Sequence, residues 1–285
     1  MYEIKYVLYG ILILITIIII LLSMKTDTNA IYMKSKITNN VIVKPPKNIG
    51  SNPHIVNLSK LSYENGTPIF PRMGFLLGIV RHNGYLPNEG IDPDLACLED
   101  DVNKLLTSDL GDYKITGTYD FDKIWDHEFY NGKHPLTNND LKIYNLKIRH
   151  VSGWSDTCMI YYKLDKDNYY YPWHTLKSYN SKKEWEMNTT KYAKYNGGFK
   201  IITNDGIKPL STLYDNPEYL GKVGVVYKKE YFKDFCLEKY YDKELYIPVG
   251  SCDILKDQYG ENVFTTIISK SKKGKEETLD EYYKH

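Results

Sequence analysis

Alanine and arginine are scarce in this 285-residue chain, while tyrosine, isoleucine, lysine and asparagine are plentiful. That usage follows the codon bias of an AT-rich genome; it bears on origin and not on activity. Cysteine is nearly as rare. The four present, Cys97, Cys158, Cys236 and Cys252, include no CxxC spacing, so nothing in the pattern points to a metal–thiolate cluster. The even count is compatible with a Cys236–Cys252 disulfide, with Cys97 and Cys158 expected as buried free thiols. Charge of one sign is not in excess either. Thirty-seven basic residues stand against 36 acidic ones, a net of +1. No whole-protein field therefore points to nucleic acid or an anionic surface, and any partner must be sought at a local site. Internal repeats are absent.

What the chain does have is one long apolar run. Tyr6 to Met24 passes 19 residues without a charge, enough at about 1.5 Å per residue to cross the roughly 30 Å of a bilayer's hydrocarbon. A single transmembrane helix is the expectation. A soluble core helix would not carry isoleucine on every side. A cleaved signal peptide ending near Ala30 is the alternative. Lysines flank the run on both sides, so charge alone does not orient it. Sequons at Asn57, Asn65 and Asn188 lend weak support to a lumenal body.

The organisation that follows is a short cytosolic tail over 1–5, the span over 6–24 and a polar stem over 25–54. A main body covers 55–269, and a charged tail expected to be mobile covers 270–285. Within the body, short apolar runs alternate with turn signals in a mixed α/β pattern. "GFLLGIV" suits a short helix or packed turn, and "IDPDLACL" a buried strand. "LEDDVNKLLTSDL" forms an amphipathic helix with Val102, Leu105 and Leu106 on one face. "NLKIRHV" and "DTCMIYYKL" read as strands, and "SCDILKDQYG" as a helix opened by Ser251 and closed by Gly260. The aromatic stretch Asn168 to His174 is expected to pack on the core, with sugar stacking as the other use of its rings.

The chemistry concentrates around Asp92 and Asp94. Residues two apart on a strand share a face, so the two carboxylates project together and repel unless a cation lies between them. A hard divalent ion, Mg2+ or Mn2+, answers that need, with Asp156 at the start of a neighbouring strand as a third ligand. The plainer alternative makes Asp92 a turn cap and Asp94 a surface ion pair.

The longer stretch "GFLLGIVRHNGYLPNEGIDPDLA" resembles the signature of the LicD/fukutin family, G-x-L-L-G-x-x-R-H-x-G-[FY]-[IL]-P leading to D-x-D. Gly74, Leu76, Leu77, Gly78, Arg81, His82, Gly84, Tyr85, Leu86 and Pro87 fall in step with it. "SDTCMIYYKLDKDNYYYP" is similar to the family's second acidic strand, and "YIPVGSCDILKDQYG" to its closing element. The resemblance spans roughly residues 70 to 262. It implies a nucleotidyltransferase-like mixed sheet flanked by helices and transfer of a phospho-alcohol, of ribitol phosphate or phosphocholine type, from a CDP-activated donor to a glycan. It further implies a type II membrane position in the Golgi or endoplasmic reticulum with a lumenal body. Asp92, Asp94 and Asp156 would hold the metal and act in catalysis. Arg81 would clamp phosphate or serve as a structural ion pair, Gly74 and Gly78 would admit the donor or merely pack, and His82 or Asp156 would serve as base. The family's W-D-D is replaced here by Asn88-Glu89-Gly90-Ile91, one residue longer, where Glu89 partly compensates. The helix that normally precedes the glycine block is poorly represented in "NLSKLSYENGTPIFPRM". These departures leave a catalytically inactive, glycan- or partner-binding relative as the alternative function.

Overall fold

A computed structural model describes residues 49–86, 91–118, 145–172, 199–203, 206–209, 223–268 and 276–278. The apolar run 6–24, the sequon at Asn188, Glu89, Trp173 and His174 lie outside these. Among the described residues no helix is long and apolar enough to cross a membrane.

The first element corrects an expectation. A helix does precede the glycine block: α1, Pro53–Glu64, starts with Pro53 in its first turn, where the missing N–H costs nothing, and Asn52 caps it by accepting from the His54 N–H at 3.0 Å. Its buried face is Ile55, Leu58, Ser59 and Ser62, a 3–4 spacing in which two serines replace the usual large apolar residues. Those serines hid the helix from its hydrophobic pattern. Both are engaged, Ser59 Oγ accepting from the Tyr246 N–H and Ser62 Oγ from that of Ile69, each at 3.0 Å.

After strand β1, Phe70–Pro71, the helix α2 runs over Met73–His82 and buries Phe75, Leu76, Leu77, Ile79 and Val80. The "GFLLGIV" run is thus a helix rather than a turn. Asn83 ends it in the left-handed conformation (φ 56°). Strand β2 is Leu95–Leu98, all four residues buried. A 3-10 turn at Glu99–Asp101 and the short helix α3, Val102–Thr107, follow, with Val102 and Leu105 buried as their spacing predicts.

Strands β3 (Tyr113–Thr118), β4 (Asn145–His150), β5 (Ser155–Lys163) and β6 (Asn168–Pro172) come next. They are joined by β7 (Phe199–Thr203), β8 (Gly206–Pro209) and β9 (Val223–Lys228) in a nine-stranded mixed sheet. Its central member is β5. It runs parallel to β2 and antiparallel to β4 and β6. The three consecutive tyrosines of β6, Tyr169, Tyr170 and Tyr171, are 4% exposed or less, so this aromatic stretch serves the core. Tyr161 stacks on Tyr227 at 5.1 Å, and Phe232 meets both rings edge-on.

The hairpin β10–β11, Phe235–Tyr240 with Lys243–Pro248, and helix α4, Ser251–Tyr259, complete the body. Helix α4 is capped by Gly250 rather than by Ser251, whose hydroxyl instead donates to the Pro248 carbonyl at 2.6 Å. Gly260 closes it at φ 96°, as expected. A last pairing of Thr266–Ile268 with Glu276–Thr278 takes in three residues of the stretch expected to be a mobile tail. All four cysteines are free thiols, Cys236 and Cys252 included.

Candidate functional site

The two aspartates do not lie on a strand. Pro93 has no N–H to offer a ladder, and the backbone N–H of Asp94 turns back to the Asp92 carbonyl at 3.1 Å, so pairing begins only at Leu95. Asp92 is exposed and Asp94 half-buried in the segment that leads into β2. Asp156 occupies the second position of β5. Leu95 pairs with Cys158 in parallel register, so the segment carrying Asp92 and Asp94 enters β2 beside the start of β5, where Asp156 lies.

The three carboxylates are close enough to feel one another. The pKa of Asp156 is raised to about 6, by burial first and then by the charges of Asp92 and Asp94. The Thr157 N–H, 2.6 Å from Asp156 Oδ1, and the Lys147 ammonium act in the opposite sense. Yet the carboxylates are not arranged as a finished ligand cage. Among the described residues there is no group of three or more His, Cys, Asp or Glu side chains placed to hold a metal ion.

Asp94 does form an ion pair, and its partner is unusual. Arg72 Nη2 approaches Asp94 Oδ1 at 3.5 Å, and the Arg72 N–H donates to the Asp94 carbonyl at 3.0 Å. Arg72 is only 4% exposed, and its guanidinium lies 4.3 Å from the centroid of the Tyr171 ring. Its Nε and Nη1 have no hydrogen-bond partner among the described residues. The same residue precedes α2, and Met73 beside it is held at φ 49°, in a region that methionine rarely occupies. Strain, a buried cation and a carboxylate therefore meet at the start of the glycine helix.

No family model matches the chain, and no curated protein sequence does so either.

The other candidates read from the sequence scatter along α2. Gly74 is the second residue of the helix and lies at its Arg72 end. Gly78 faces the returning chain. A Cβ there would meet the Gly84 carbonyl oxygen and stand 2.9 Å from the Leu86 nitrogen, so packing alone requires glycine. Arg81 and His82 fall at the far end, about 12 Å along the axis at 1.5 Å per residue. Arg81 donates through Nε to His82 Nε2 at 2.9 Å and through Nη1 to the Val263 carbonyl at 3.0 Å, tying α2 to the segment after α4. His82 is 0% exposed, with Nε2 already accepting a hydrogen bond, and is poorly placed as a base. The structure thus gathers Asp92, Asp94 and Asp156 and adds Arg72 and Lys147, which the motif did not indicate.

Two other clusters contrast with this one. At the opposite end of β2, Asp100 meets Lys163 at 3.3 Å and Lys229 at 3.7 Å and accepts from the Tyr169 hydroxyl at 3.0 Å. Burial works against its ionisation, but these three partners lower its pKa, as a structural ion-pair network should. In the β4–β5 turn, Ser152 Oγ lies 2.8 Å from His150 Nδ1, with Asp112 4.0 Å from Nε2, a superficially triad-like set. The Ser152 N–H also donates to that nitrogen at 3.1 Å, and the rings of His54 and Tyr113 pack against His150, at 4.4 and 4.7 Å. These contacts clasp the turn to α1.

Proposed function

We propose that this protein is a membrane-anchored, metal-dependent phosphotransferase with a nucleotidyltransferase-like fold, moving a phospho-alcohol from a CDP-activated donor to a glycan. The approach of Asp156 to Asp92 and Asp94 carries the reading. Three carboxylates from two neighbouring segments lie near one another where β2 and β5 begin, beside the helix of the glycine block. The resemblance to the LicD/fukutin family supplies the donor and acceptor classes and, given the apolar run 6–24 as anchor, implies a type II position with the body in the Golgi or endoplasmic reticulum lumen.

The oxygen donors suit a hard cation such as Mg2+ or Mn2+. Asp92 and Asp94 would hold such an ion, with Arg72 fixing the position of Asp94, and its charge would offset that of the donor diphosphate. Asp156, with a pKa of about 6, is largely ionised at neutral pH and accepts the proton of the acceptor hydroxyl.

Full-length protein in detergent, given a panel of CDP-alcohols with Mg2+ or Mn2+, should release CMP, and Asp92→Ala should abolish the release. No CMP from any donor, and no metal-dependent donor binding, overturns the reading. The ion pair between Arg72 and Asp94 favours a second reading, a fold that binds glycan or a partner without turnover. It predicts glycan binding indifferent to metal.

A further inference from the structure

The β4–β5 turn is fastened to the head of α1 by a cluster that the carboxylate site does not use. The rings of His54, in the first turn of α1, and His150, at the end of β4, lie 4.4 Å apart. Trp154 stacks on His54 at 5.2 Å, Tyr113 meets it edge-on at 6.4 Å, and the Tyr113 hydroxyl donates to the His54 carbonyl at 2.9 Å. Ser152 Oγ reaches both imidazoles, 2.8 Å from His150 Nδ1 and 3.4 Å from His54 Nε2. Helix α1, strands β3 and β4 and the turn before β5 thus meet at one pair of histidines.

The hydrogen bonds fix the charge state that this arrangement tolerates. The backbone N–H of Ser152 donates to His150 Nδ1 at 3.1 Å, and an amide can only donate, so Nδ1 presents its lone pair and the neutral ring carries its proton on Nε2. A second proton has only Nδ1 to occupy. There it points at the Ser152 N–H, the hydrogen bond is lost, and the new charge faces His54. His54 resists charge as well: its pKa is lowered, by burial first and then by the charge of His150. The other groups facing the pair do not offset this. Asp112, whose carboxylate is 4.0 Å from His150 Nε2, is 73% exposed and screened by water. Burial and then the Asp112 charge raise the pKa of Tyr113, so its phenol stays neutral.

We propose that the His54–His150 pair is an acid-released latch on α1, closed while both rings are neutral and open once they take up protons. Because the folded-state pKa of His54 lies below the ordinary 6.5, its contribution is complete above pH 6.5 and fades as pH falls further. Release is local. On the same head, Ser51 Oγ donates to Asp242 at 2.8 Å and the Asn52 N–H to the Tyr240 hydroxyl at 3.4 Å. Asp242, its pKa lowered first by the bond from Ser51, remains ionised and keeps that tie. Asp101 and Asp156, both raised to about 6, take up protons in the same range and stabilise the body as they do so. Acid therefore loosens the first turn of α1, where the preceding chain enters the body, while the sheet holds.

Hydrogen exchange of the full-length protein in detergent at pH 7.5 and 5.5, corrected for the intrinsic pH dependence of exchange, tests the latch. Peptides covering the first turns of α1 and the turn 150–154 should exchange about tenfold or more faster at pH 5.5, from one lost hydrogen bond and the repulsion of two close charges. Those of β6 and β9 should keep their protection. The acid response should disappear in the double variant His54→Gln, His150→Asn, whose second substitution keeps an acceptor for the Ser152 N–H. His54→Gln alone, which leaves the bonds between Ser152 and His150 in place, should respond less than the unsubstituted protein. Equal exchange at both pH values in the unsubstituted protein overturns the proposal, as does an undiminished acid response in either variant. Faster exchange of β6 and β9 in step with α1 also overturns it, because that marks unfolding of the whole body.

Discussion

Arg72→Met replaces a fully buried cation with an apolar side chain of similar length, and the expected result is a protein nearly as stable as the original. At 3.5 Å from Asp94 and an effective dielectric near 20, the attraction is about 5 kcal/mol. The stack on Tyr171 adds about 2 kcal/mol. Against these stand several kcal/mol for desolvating the guanidinium and about 1–3 kcal/mol for each of the two N–H-bearing atoms left without a partner. The sums nearly cancel. Asp94 is 35% exposed and keeps its water when Arg72 is gone, so no buried charge is stranded. The melting temperature should therefore move by no more than about 4 °C, while metal-dependent donor binding falls because Asp94 loses its anchor. With the compensating charge removed, Asp94 bears more heavily on Asp156, and melting should depend more steeply on pH between 4 and 6. Melting of the full-length variant by circular dichroism at pH 4, 6 and 8, with donor binding by calorimetry, reads all three effects. A fall of about 10 °C at every pH would show that Arg72 is a structural ion pair and refute that balance.

Asp156→Asn should flatten the pH dependence of stability. The folded pKa of about 6 lies above the ordinary 3.8, so the folded chain retains a proton that the unfolded chain has lost. The stabilisation is complete below pH 4 and fades as pH rises to about 6, by on the order of 3 kcal/mol. The Asn variant, keeping the hydrogen bond to the Thr157 N–H, should show a smaller decline in melting scans, the remainder coming from Asp101, which burial and the Asp100 charge also raise to about 6; an equal decline in both proteins would show that Asp156 does not contribute. Gly78→Ala should cost about 1–3 kcal/mol by forcing the new Cβ against the Gly84–Leu86 backbone, and a melting temperature equal to that of the unsubstituted chain would show that the segment moves freely.

The legibility of this protein in its sequence differed from element to element. Strands β4 and β5, and helices α2, α3 and α4, were readable because apolar spacing or turn residues announced them. Helix α1 was not, since its buried face is half serine and its stability rests on hydrogen bonds to Ile69 and Tyr246 that no local pattern reveals. The motif located Asp92, Asp94 and Asp156 but placed the first two on a strand, overlooking that Pro93 delays pairing until Leu95. It assigned the phosphate-binding role to Arg81 because of its place in the signature, whereas Arg81 spends its donors on His82 and Val263. Arg72 was invisible to it. Its signal was rarity, since lysine serves nearly everywhere else as the cation and Arg72, Arg81 and Arg149 are the three arginines of the chain. A flat, weakly hydrated guanidinium can lie on an aromatic ring in the core, as Arg72 does on Tyr171, at a lower cost than an ammonium.

The two ends of β2 make the strongest physical case for a site. Both carry acidic residues, both border β5, and the same four-residue strand separates them, so differences in fold do not explain differences in charge balance. At the Glu99–Asp101 end the carboxylate of Asp100 is met by two ammonium groups and a phenol, and its pKa is lowered. At the Asp92–Asp94 end burial, and then the charges of Asp92 and Asp94, raise the pKa of Asp156 to about 6, as burial and the Asp100 charge raise that of Asp101 at the other end; what differs is the answering cation, a buried arginine that is itself incompletely satisfied. A raised carboxylate lowers the stability of the folded state at neutral pH, and at the Asp92–Asp94 end that cost is joined by a buried guanidinium with two unpartnered nitrogens and by Met73 at φ 49°. Such costs persist where a ligand offsets them, and in the proposed reading that ligand would be a divalent cation carried in with a diphosphate.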